Sequence, residues 1–202
     1  MKGLLRKDLY MLWSYCRSFL LLILIFSAAS LGAENNSFFT VYPVMLGSIL
    51  PVTLISYDER SGWLSCCHTL PVSRRMVVAE KYLVSLICSL CMLTLTGLVQ
   101  FLSFSREEVF LWHRYFAMMS TMSVLAFVGP SLILPLIFKY GSEKGRIAYY
   151  FVIGTACALA FIVNDRQFPV IPLANTLLPL LSAAAMVVSF LLSLHFYQKR
   201  EL

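Results

Sequence analysis

The side chains in this sequence that could do chemistry are few, and their spacing assigns them no reaction. Glu107 and Glu108 are adjacent carboxylates, the residue type of general acid–base work, but they stand between Arg106 and Arg114 in a short polar stretch. No apolar segment supplies a histidine near its middle to work with them, so they read as solvated loop charges. Cys66, Cys67 and His68 carry metal-ligating atoms, yet contiguous residues rarely converge on one tetrahedral ion, and His68, His113 and His195 lie far apart. No phosphate-binding GxxxxGK[ST] loop exists: Gly141 and Gly145 in GSEKG have the wrong spacing and no following Ser or Thr. Serines are plentiful, but no histidine and carboxylate are placed to activate one. The chain is therefore expected to hold no catalytic residue, no metal and no cofactor.

The elements that carry these residues are apolar. Of 202 residues, 59% are hydrophobic and only 13% charged, with a mean hydropathy of +0.80. A soluble domain is about a quarter charged, so this surface faces something other than water. Asp, Glu, Lys and Arg are absent between Arg17 and Glu34, Glu34 and Asp58, Lys81 and Arg106, Arg114 and Lys139, Arg146 and Asp165, and Arg166 and Lys199. A helix needs roughly 20 residues to cross a ~30 Å hydrocarbon core, and each gap holds one such span. The spacing predicts an all-α integral membrane domain, 1–202, with six transmembrane helices at 16–33, 38–57, 81–104, 115–138, 147–163 and 176–197. The first and fifth are short and borrow length from flanking residues that reach the headgroups. A period-2 barrel pattern is absent, which leaves helices as the way to satisfy the backbone in lipid.

Orientation follows from the Lys and Arg count. With both termini on one face, that face takes Lys2, Arg6, Lys7, Arg17, Arg60, Arg74, Arg75, Lys81, Lys139, Lys144, Arg146, Lys199 and Arg200, and the other takes Arg106, Arg114 and Arg166. This asymmetry puts both termini in the cytoplasm and supports an even number of spans. Trp13, Trp63 and Trp112 all fall beside predicted span ends, where an amphipathic ring is at home. The basic residues are dispersed over short segments, so the net charge of +6 reads as topology and not as a nucleic-acid surface. No cleaved leader is expected, because a long stretch containing Tyr10, Trp13 and Tyr15 precedes the first apolar run. The six cysteines form no disulfide framework: Cys88, Cys91 and Cys157 lie within spans, and Cys16, Cys66 and Cys67 face a reducing compartment.

Residues 2–15 place Leu5, Leu9 and Leu12 on one helical face with Lys7 opposite. They predict either a short helix lying in the interface or a plain extension of the first span. Pro43 and Pro51 in the second span are candidates for kinks, and Pro169, Pro172 and Pro179 predict a broken or re-entrant start to the last. External connections are brief. The longest connection is cytoplasmic, 58–80, with charges at both ends and an uncharged middle, and a simple crossing would need far fewer residues. Residues 61–69 read as a short helix stopped by Pro71, with Ser73 as N-cap of the next span. On that helix Trp63 and Leu64 either dip into the headgroups or form an apolar knob for a cytoplasmic partner. No ionisable residue lies within the spans apart from Glu80 and Lys81 at an edge, so energy for any transport would come from a separate subunit.

The stretches MKGLLRKDLYMLW, SYDERSGW, TLPVSRRMVVAEKYL, LIFKYGSEKGR and SLHFYQKREL together resemble an ABC-2 type transporter permease over nearly the whole chain. More narrowly, the chain is similar to small six-span permeases that pair with a separate ATPase, a group that includes exporters of phenol-soluble modulins and bacteriocin-like peptides. The resemblance implies that 2–15 is an elbow helix and that the loop 58–80 holds a coupling helix docking into an ATPase, with Asp58, Glu59, Arg60, Ser61, Gly62, Trp63, Leu64, Arg74 and Arg75 as contact residues. It also implies two ATPase copies carrying ATP and Mg, a second permease chain, identical or paralogous, and a path lined by the second and fifth spans. The cargo would be hydrophobic or amphipathic, such as a peptide toxin, bacteriocin or drug, exported across a bacterial plasma membrane. Relatives carry charged or aromatic residues where this chain has Leu64, Ser65, Cys66 and Cys67. Two other readings of a six-span chain are a substrate-binding subunit of an energy-coupling importer, which would want larger outer loops, and a membrane immunity protein, which would not need the long cytoplasmic loop.

Overall fold

The computed structural model describes residues 2–30, 37–63, 73–105, 112–145, 147–148, 150 and 174–199. Six long α-helices carry most of them: α1 (Lys2–Tyr15), α2 (Arg17–Ala29), α3 (Ser37–Arg60), α4 (Arg74–Phe104), α5 (Trp112–Tyr140) and α6 (Ala174–Lys199). No strand occurs among the described residues. Helices α3, α4, α5 and α6 are each long and apolar enough to cross a membrane, and α1 with α2 makes a fifth candidate if that pair, bent by 66°, counts as one span. Alone, the 13 residues of α2 reach only about 20 Å at 1.5 Å per residue, too short for the hydrocarbon core. The expected fifth span, 147–163, lies almost wholly outside the described residues, as do 64–72, which hold most of the expected coupling helix.

The helix that carries the expected third span begins before Lys81, at Arg74, directly after the expected N-cap. Ser73 sets that start: its backbone is extended (φ −71°, ψ 145°) and its hydroxyl accepts from the Met76 amide at 3.4 Å, so the expected N-cap is present. Of the prolines expected to break the start of the last span or to precede it with a re-entrant stretch, Pro179 sits inside a helix that is continuous from Ala174, and Pro169 and Pro172 lie outside the described residues. Pro43, Pro51, Pro130 and Pro135 likewise sit inside continuous helices. A proline frees the carbonyl four residues before it, and a neighbouring hydroxyl can take that acceptor. For Pro130 the freed group is the Ala126 carbonyl, and Ser89 of α4 donates to it at 3.1 Å.

The buried residues surround α3. Its best apolar window is 61% buried against 22% for α6, which makes α3 central and α6 peripheral. One cluster joins α3, α4, α5 and α6 through Val52, Ile55, Val78, Leu134, Ile137 and Met186, and a second joins α1, α2, α3 and α4 through Leu12, Cys16, Ile23, Leu54, Val84 and Met92. Large apolar side chains also cover the outside, among them Leu24 and Ile25, Leu86 and Leu90, Leu180 and Leu191, as a lipid-facing surface requires. Along α1 and just past its end the buried stripe is Asp8, Leu12 and Cys16, while Leu9 is 42% exposed beside exposed Tyr10 and Trp13. The face of α1 turned toward the bundle is thus one position off the leucine stripe, and a carboxylate lies in it.

Gly62 and Gly141 adopt positive φ (69° and 86°) just past the ends of α3 and α5, where a left-handed residue closes a helix most easily without a side chain. Gly145, in the turn that follows α5, leaves no room for a side chain: a Cβ would lie 2.8 Å from Ile137 Cγ1 and 2.9 Å from Ile137 Cα. At Gly47 a Cβ would meet only the Met92 side chain, at 2.4 Å, and that chain can rotate away. Gly145→Ala is therefore expected to lower the thermal unfolding midpoint in detergent by the equivalent of about 1–3 kcal/mol, and Gly47→Ala by less. A Gly145→Ala protein as stable as the wild type would contradict this packing.

Candidate functional site

Five charged side chains from three helices meet where α1, the end of α3 and the start of α4 converge. Asp8 from α1, Asp58 from α3 and Lys81 from α4 are 0%, 2% and 4% exposed. The Lys81 ammonium donates to Asp8 Oδ2 at 2.5 Å and to Asp58 Oδ2 at 2.6 Å. Lys7, a partly exposed neighbour on α1, donates to Asp58 Oδ1 at 2.7 Å and stands 3.1 Å from Asp8 Oδ1. Each lysine thus bridges the same two aspartates, and the four groups close a ring across three helices. Glu80, 2% exposed, adds a third carboxylate beside the ring, and its Oε1 has no hydrogen-bond partner among the described residues.

The residues flanking Asp58 carry the ring outward. Trp63, just past the end of α3, packs on the buried cluster of α3 to α6 and receives the Lys7 ammonium 4.5 Å from its ring centroid, a cation–π geometry. Glu59 accepts from the Ser142 amide at 2.8 Å, and Ser56 donates to the Ser142 hydroxyl at 3.3 Å, which ties the end of α3 to the turn after α5. The SYDERSGW and LIFKYGSEKGR stretches therefore touch each other. A cavity of about 20 Å³, enough for one water, lies between Asp58, Glu59, Trp63, Glu80 and Lys81.

The expected contact residues separate into groups. Asp58 is turned inward. Glu59 is half-buried on Ser142, and Arg60 is exposed and lines a different cavity, on the α2 side. Ser61 and Gly62 are exposed, with the Ser61 hydroxyl donating to the Asp58 carbonyl at 3.2 Å. Trp63 is half-buried; Leu64 lies outside the described residues; Arg74 opens α4, and Arg75 is exposed. Of the five charged side chains that meet here, sequence reasoning placed only Asp58 in the site; it read Glu80 and Lys81 as a span edge and Lys7 as opposite the leucine face, and it passed over Asp8. Its signal was present, because residue 8 falls within the spacing 5, 8, 9 and 12 that defines one helical face, and a carboxylate there needs a buried cation. No group of acidic, histidine or cysteine side chains able to hold a metal occurs among the described residues, and Cys66, Cys67, His68, Glu107 and Glu108 lie outside them.

Among the described residues the arrangement is a fastener, ion pairs that join three helices. Breaking a buried ion pair on one side costs about 3–5 kcal/mol because the other charge stays behind. Asp58→Asn is expected to lower the unfolding midpoint by an amount of that order, while Arg75→Gln, at an exposed position, stays within about 0.5 kcal/mol. Equal midpoints for the two variants in detergent would contradict the ring.

No curated protein matches the chain significantly. The family described as ABC-2 family transporter protein does match, over residues 3–198. That match takes in all six helices and the charged ring, and its members are membrane subunits that work with ABC ATPase partners. The chain belongs to the ABC-2 family of transporter membrane proteins.

Proposed function

We propose that this chain is the permease subunit of an ABC exporter, with six spans, both termini in the cytoplasm of a bacterial cell and a path for hydrophobic or amphipathic cargo. In this reading α1 is the elbow helix and residues 61–69 form the coupling helix that docks into the ATPase. ATP and Mg belong to the ATPase, present in two copies beneath two permease chains, identical or paralogous. This chain contributes no nucleotide site of its own. Ser61, Gly62, Trp63, Leu64, Arg74 and Arg75 form the docking surface, with Trp63 and Leu64 as its apolar anchors. Asp58 and Glu59 hold that surface in place from within.

The observation that carries this reading is the attachment of Trp63. Lys7 lies against its ring and also binds Asp58, so a push on the segment after α3 is felt at once by α1, α3 and α4. A loop that merely crossed between spans would have no need of such an anchorage. Bistable packing can turn a small displacement at such a junction into a rearrangement of spans.

Co-purification in mild detergent with the ABC ATPase tests the proposal. Wild type is expected to retain the ATPase, and Trp63→Ala combined with Leu64→Asp to retain about tenfold less or lower, at unchanged yield, as for the loss of hot-spot anchors. An ATPase that binds both chains equally would remove the docking role of this segment. Failure of wild type to bind any ABC ATPase would overturn the permease reading itself.

A further inference from the structure

A second cavity, of about 380 Å³, opens between α2, α3 and α5 and shares no lining residue with the charged ring. Its long wall is one stripe of α3, Ile49, Val52, Thr53, Ser56, Tyr57 and Arg60, which at 1.5 Å per residue extends about 16 Å, and Tyr150, beyond α5, also lines it. Polarity along the stripe is graded. Ile49 and Val52, joined by Phe19 of α2 and Ile133 of α5, make one end apolar; three hydroxyls follow; the exposed guanidinium of Arg60 closes the other end. No carboxylate lines the cavity, and Arg60 forms no ion pair among the described residues.

We propose that this cavity binds one anionic amphiphile, with its head on Arg60 and its alkyl chain along Ile49 and Val52. The order apolar, hydroxyl, cation over about 16 Å matches the order chain, ester, headgroup in one bilayer leaflet. A planar guanidinium offers two parallel donors to a phosphate or carboxylate head. The volume lies within the roughly 300–1,000 Å³ typical of small-molecule sites. Two sources share this chemistry, an anionic phospholipid of the adjoining leaflet and a free amphiphile entering from it. The inference rests on the membrane setting of α3 and stands whether or not the chain exports cargo.

Native mass spectrometry of the full chain in detergent tests it, with phosphatidylglycerol and phosphatidylcholine of identical acyl chains as probes. Wild type is expected to bind one phosphatidylglycerol with about fivefold preference, the worth of one basic side chain near a membrane surface. Arg60→Gln, exposed and therefore compatible with folding, is expected to lose that preference, and Arg75→Gln to keep it. Ile49→Trp, which fills the apolar end, is expected to weaken binding although Arg60 remains, a response that a mere surface charge would not give. Displacement of the lipid by dodecyl phosphate in wild type would identify a free amphiphile as a ligand of the same site; retention of the lipid would identify the bilayer as its source. Equal binding of the two lipids by wild type, or a preference that survives Arg60→Gln, would overturn the proposal.

Discussion

A lysine ammonium buried among membrane-spanning helices must have its charge answered by the protein, and in this chain the answer comes from three helices. Lys81 is 4% exposed and lies between Asp8 of α1 and Asp58 of α3. Desolvating such groups costs several kcal/mol per ion, so the pairs add little net stability over an apolar core of the same shape. Their effect is on arrangement. With the ring closed, α1 has one register against α4 in which both aspartates are matched, and any slip of α1 leaves a charge unanswered. Helices α1 and α2 are bent by 66° to each other, and Leu12 and Cys16 share a buried cluster with Ile23 of α2.

The rest of this end of the bundle is built outward from the ring. Asp58 and Glu59 are consecutive, yet they reach different elements: the first binds lysines of α1 and α4, the second caps the turn after α5 through Ser142. The last turn of α3 is consequently the point where four elements are joined, and Gly62 ends the helix there so that Trp63 can fold back against Lys7. Deeper in the bundle, single polar contacts do similar work at smaller scale. Gln100 donates to Thr40 at 2.5 Å, and the Tyr82 hydroxyl lies 2.6 Å and 2.7 Å from Ser189 and Ser193, fixing α4 against α3 and α6. Each such pair satisfies groups that lipid could not.

Much of the fold was legible because membrane spans are written in composition. Charge-free stretches located α3, α4, α5 and α6, and Ser73 announced the start of α4 by side-chain chemistry alone. The charged ring was harder to see because its members are 73 and 23 residues apart from Lys81, and pairing at that distance is a property of packing, with no local pattern. Asp58 looked like a surface residue because it ends a span in a run of charges. Glu80 and Lys81 looked like a boundary because charges usually mark one; burial of both inside α4 was possible only with partners that the sequence does not order in space. The leucines of α1 did not tell which of its faces meets the bundle, since an apolar residue facing lipid and one facing a core read alike.

Charge fastens α1 to the bundle. A double-mutant cycle on thermal unfolding in detergent, with Asp8→Asn, Lys81→Met and both together, measures that fastening directly. A coupling on the order of 1–3 kcal/mol is expected, the double variant losing well under the sum of the single losses. Losses that add within about 0.5 kcal/mol would mean that the two groups do not interact in the folded protein, and would contradict it.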